Sequence, residues 1–69
     1  MTMMEVVRQL ARDKRIAIQR QPDRQDQRLK LLCFVLSYAT ARAIAYDKGI
    51  LTENQQQWLL RDISYIETI

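Results

Sequence analysis

The segment Leu29–Tyr46, LKLLCFVLSYATARAIAY, constrains this chain more than any other. It is apolar at nearly every position and contains an unbroken apolar run from Leu31 to Leu36. On a wheel of about 100° per residue, Leu29, Leu32, Val35, Leu36, Ala39, Ala43 and Tyr46 fall on one helical face. Leu31, Phe34, Tyr38, Ala41 and Ala45 fall nearly opposite, with Lys30, Ser37 and Lys48 in a gap between and Arg42 at a face edge. A helix with one apolar face packs on its own domain, whereas a helix with two needs a second cover. That cover is an N-terminal helix, a second copy of the chain or a target protein.

The chain has 69 residues, one domain at most. A chain this short buries only about 60% of the surface its unfolded form exposes, so disulfides, metals or oligomerisation commonly support such folds. Cys33 is the only cysteine and there is no histidine, which excludes an internal disulfide and leaves no ordinary metal-ligand set. No metal or cofactor is expected. A homodimer is, with Leu31, Phe34, Val35, Ala41 and Ala45 as its interface: the first two are large, and the alanines allow close helix approach.

Gly49 and Pro22 are the only glycine and proline, which argues for a few helices rather than a turn-rich β domain. Thr2 and Glu5 have capping-box spacing. Met3, Val6, Val7, Leu10, Ala17 and Ile18 form a helical stripe, with Lys14 inside it, Ile16 off it, and Arg8, Arg12 and Arg15 along the other side. These place a first helix over about Met3 to Arg20. Pro22 suits a first helical position, and Asp23 and Asp26 suit the positive end of a helix dipole, so a second helix is expected from about Pro22 to Lys48. Gly49 can take the left-handed conformation that ends it, after which Ile50 and Leu51 should fold onto the core. Thr52 and Gln55 repeat the capping-box spacing. Leu59, Ile63, Ile66 and Ile69 then form the stripe of a third helix ending near residue 67. The expected fold is all-α: a helical hairpin of the long second helix (22–48) and the third (52–67), preceded by an N-terminal helix, in a dimeric bundle. The N-terminus has no signal-peptide core and no run approaches the ~20 apolar residues of a membrane span, so a cytoplasmic protein without membrane attachment is expected.

Residues 1–30 hold eight Lys/Arg against four Asp/Glu, and residues 31–69 hold three against four. Attraction to acidic partners therefore belongs to the first third of the chain. Catalysis finds few parts: no histidine, no glycine-rich phosphate loop, and no evident base beside Ser37 or Ser64. Cys33 lies in the most apolar run, where a thiol is usually a small buried hydrophobe. No enzymatic activity is expected.

A helix-turn-helix would place Ala45, Gly49, Ile50 and Trp58 at its characteristic positions and present Gln55, Gln56, Gln57 and Arg61 to base edges. Against this, Gln55 falls where an aliphatic residue is wanted, and residues 49–69 carry one basic and three acidic groups. No direct nucleic-acid binding is expected. Tyr38 with Arg42, and Trp58 with Arg61 and Tyr65, have the aromatic-plus-arginine composition of protein-binding anchors and form the candidate partner site.

With its mixed-charge start MTMMEVVRQLARDKR, the apolar LKLLCFVLSYATARAIAY helix and the tail TENQQQWLLRDISYIETI, the whole chain resembles the short quorum-sensing anti-activators encoded by transposable Pseudomonas phages. The resemblance implies a small dimeric helical protein in the host cytoplasm. Its implied partner is a LuxR-type transcription activator, bound at or near the DNA-binding domain so that promoter DNA is excluded. A second implied target is the ATPase that extends type IV pili. Acidic groups at Asp47, Glu53, Asp62 and Glu67 could face the basic surface of such a domain. Two other readings stand beside it: a small DNA-binding repressor, and a helical-hairpin secretion chaperone.

Overall fold

The computed structural model describes residues 1–69 and contains three helices and no strand: α1 (Met3–Arg20), α2 (Gln25–Asp47) and α3 (Glu53–Thr68). α2 packs against both of the others, which touch each other only lightly. The core is one cluster to which every helix contributes: Val7, Ala11 and Ile18 from α1, Leu32, Leu36, Ala39 and Ala43 from α2, and Leu59 and Ile66 from α3. Met3, Met4, Leu10, Leu29, Val35, Leu51, Ile63 and Ile69 pack around it. The four α2 residues are all on the first wheel face. Ala39 and Ala43 are small enough there for two helices to lie against one line of the third.

Both flanking helices therefore share the first face of α2. α1 does not cover the second, and Leu31, Phe34, Tyr38 and Ala41 are exposed. Within α1 the stripe holds at Met3, Val7, Leu10 and Ile18, gains Ala11, and fails at Ala17, which is exposed. Tyr46, assigned to the core face, is also exposed. Ile50 does not fold inward: it is 70% exposed, and only Leu51 of that pair reaches the core. α2 is long and apolar enough by length and composition alone to cross a membrane, a test that the core helix of a small bundle also passes.

The start of α2 corrects the sequence reading. Gln21, extended before Pro22, ends α1, but Asp23 and Arg24 form a turn, closed by the Gln25 N–H donating to the Pro22 carbonyl at 3.4 Å, rather than a first helical turn. Arg24 takes the left-handed conformation at φ 50°, and the helix begins at Gln25. The Gln25 side-chain amide donates back to the carbonyls of Ile18 and Gln19 at 3.3 and 3.1 Å. Those carbonyls belong to the last turn of α1, where the Ile18 carbonyl also accepts from the Gln21 N–H at 3.1 Å and the Gln19 carbonyl lies beyond the reach of the helix's own donors.

The other helix ends are held as chemistry requires. Thr2 accepts from the Glu5 N–H at 3.1 Å. Thr52 and Gln55 complete a reciprocal capping box. Gly49 has φ +73°, the left-handed geometry that closes the turn after α2. Asp47 reaches from the last residue of α2 to the start of α1, where the N–H groups of Met3 and Met4 donate to its Oδ1 and Oδ2 at 2.8 and 3.0 Å. A carboxylate on two orphan donors at the positive end of a helix is favourable both as a cap and toward the dipole. Asp47→Ala is expected to lower stability by about 1–2 kcal/mol, read as a lower urea midpoint at unchanged slope, with Asp47→Asn between it and the unaltered chain.

Candidate functional site

Tyr38 and Arg42 stand one turn apart on α2, and Trp58 and Asp62 stand one turn apart on α3. The packing of the two helices brings all four together. The Arg42 guanidinium lies 5.7 Å from the Tyr38 ring centroid and 5.5 Å from that of Trp58. It is ion-paired with Asp62, and both side chains are mostly buried. The planar guanidinium can stack on aromatic rings and bond a carboxylate at the same time, which a lysine ammonium does less well. Phe34, one turn before Tyr38, meets it edge-on at a centroid distance of 5.3 Å.

Next to this cluster is a groove of about 310 Å³ between α2 and α3, lined by Leu31, Phe34, Val35 and Tyr38 on one side and Arg61, Asp62 and Tyr65 on the other. Arg61 has no ion-pair or hydrogen-bond partner. Phe34, Tyr38, Trp58 and Tyr65 are 63, 50, 46 and 50% exposed, so the surface is aromatic, open to solvent and held in place from beneath.

All five residues expected to contact a partner, Tyr38, Arg42, Trp58, Arg61 and Tyr65, lie on this surface. The sequence grouped them as two separate sets, whereas the fold joins them through the contact of Arg42 with Trp58. The residues expected at a dimer interface do not form a set of their own. Leu31, Phe34 and Val35 line the same groove, Val35 also packs against the core, Ala41 is exposed, and Ala45 is half-buried. The role of Asp62 as counter-ion to Arg42 was missed because it depends on a partner twenty positions away, which helical spacing within α3 does not show.

Two other expectations change, and the helix-turn-helix alternative loses support. Cys33 is exposed, since its wheel position lies on the flank of α2 beside α1 rather than in the core. Of the four acidic groups expected to face a basic domain, Asp47 caps α1 and Asp62 holds Arg42, leaving Glu53 and Glu67 without an internal partner. Of the three glutamines a helix-turn-helix would present, Gln55 accepts from the Thr52 N–H at 3.1 Å and the Gln56 amide donates to the Leu51 carbonyl at 3.4 Å. Two of the three are thus committed to the start of their own helix.

No protein-family model, curated protein or solved structure matches the chain.

Proposed function

We propose that this chain is a non-catalytic protein-binding inhibitor that engages its partner through the aromatic face of α2 and α3. The observation that carries this reading is the Tyr38–Arg42–Trp58 stack, with Phe34 beside it and Asp62 beneath. Large exposed rings supply apolar area with few rotatable bonds, and a guanidinium already fixed by a carboxylate loses little freedom on binding. Such anchors dominate many protein interfaces.

The partner proposed, from the resemblance of the whole chain to phage anti-activators, is a host LuxR-type transcription activator, with the type IV pilus ATPase as a second target. The site of action is the host cytoplasm. Because Asp47 and Asp62 are committed within the fold, inhibition by imitating the charge of DNA has little support. Steric occlusion of the DNA-binding domain by the aromatic face fits the geometry better. The finer architecture belongs to the same proposal: α2 and α3 act as a helical hairpin, and a second copy packs along the outward face of α2 on the Ala41 side.

The test is a competition measured by fluorescence anisotropy. A labelled promoter duplex is bound to a purified LuxR-type activator and this chain is titrated in. The expected result is release of the DNA, with a stoichiometric activator complex on size exclusion. Retention of full promoter binding at saturating protein, with no complex, would remove the reading. Direct binding of the duplex by the chain alone would favour the repressor reading instead.

A further inference from the structure

On the other flank of α2, away from the aromatic face, a groove of about 590 Å³ runs between α1 and α2. One wall carries Arg8, Arg12 and Arg15, all exposed and none of them ion-paired or hydrogen-bonded. The other wall, Cys33, Ser37 and Thr40, has no charged group. Core residues Val7, Ala11 and Leu36 reach its floor, and no carboxylate lines it.

We infer that this groove is a docking site for an acidic amphipathic helix of a partner protein. The arginines follow one line of α1 at four- and three-residue intervals, with rises of roughly 6 and 4.5 Å. A helix laid alongside repeats at the same pitch, so glutamates or aspartates at matching intervals would meet each arginine in turn. Its apolar stripe would cover the floor, as in other helix-in-groove complexes. A nucleic-acid strand could satisfy the arginines, but it would leave the apolar floor and the neutral wall without a counterpart. Charge on a single wall above an apolar floor is the complement of an amphipathic helix.

The probe is a fluorescein-labelled synthetic peptide of about five helical turns. It carries a leucine stripe flanked by glutamates at four- and three-residue spacing, and a scrambled peptide of the same composition is the control. The patterned peptide should bind about tenfold more tightly than the scrambled one, and the Arg8→Gln/Arg12→Gln/Arg15→Gln variant should lose about that tenfold. Affinity should fall as salt is raised. Cys33 reports the location: saturating peptide should slow its alkylation by iodoacetamide severalfold. Equal affinity for the two peptides, an unaffected triple variant, or unchanged Cys33 alkylation would each overturn the inference. So would tighter binding of a short DNA duplex or RNA strand with the same arginine dependence, which would make the groove a nucleic-acid surface. If the triple variant loses helicity, Arg12→Gln alone and alkylation of the unaltered chain decide the matter.

Discussion

Leu32→Ala is expected to leave most of the chain unfolded at 25 °C. Leu32 is fully buried in the first half of the helix that both others pack against. Truncating such a leucine costs about 2–5 kcal/mol, through lost burial and the cavity left behind. Domains below about 70–80 residues rarely hold more than about 3–5 kcal/mol in total. The cost and the stability are therefore of the same size. Far-UV circular dichroism should show most of the helical signal lost, and urea titration should show little or no folded baseline. Phe34→Ala is the matched control. It removes a larger side chain from the same helix, but from a position that is mostly exposed, so the loss should stay within about 1 kcal/mol. If the two variants unfold alike, the assignment of inner and outer faces on α2 is wrong.

Trp58→Ala is expected to weaken partner binding by about 2 kcal/mol or more, roughly thirtyfold, while the chain stays folded. Trp58 is half-exposed and stacks on Arg42. Removing it deletes apolar area on this face and takes away one of the two rings beside the guanidinium. Tyr38→Ala removes the other ring and should act in the same direction. Arg42→Lys keeps the charge and the proximity to Asp62 but loses the planar stacking, so a smaller, several-fold loss is expected. Isothermal titration against the partner measures all three, with circular dichroism as the folding control. A folded Trp58→Ala protein with full affinity would take Trp58 out of the interface.

The number and kind of elements were legible because three apolar stripes repeat at helical spacing, each beside a recognisable cap or breaker. Thr52–Gln55 and Gly49 act as their residue types suggest. Pro22 misled because a proline suits both a first helical turn and the turn before a helix. Here it stands in the turn, and Gln25, the first helical residue, bonds back to the end of α1. The wheel of α2 correctly separated Leu32, Leu36, Ala39 and Ala43 from Phe34 and Tyr38. It could not say what covers each face, since periodicity within one helix carries no information about its neighbours. Asp47 and Asp62 illustrate the same limit. As residues they are two acids on the C-terminal half. Their roles as a cap and as a counter-ion exist only once distant segments meet, and those roles weakened the idea of an acidic surface directed at a DNA-binding domain.

The helix ends have a consequence for cooperativity. Asp47, at the end of α2, holds the start of α1, while Gln25, at its beginning, holds the end of α1. Arg28, in its first turn, donates from Nε to the carbonyl of Ile69, the last residue of the chain, at 2.9 Å. Three helix termini are thus fastened to one central rod, and neither end of α1 is free to fray independently of it. Small proteins often open piecemeal from their terminal segments. Here, loosening the start of α1 or the end of α3 means breaking a bond to α2, so partial opening gains little entropy before the whole bundle is engaged. Heat and denaturant should therefore find a single all-or-none transition.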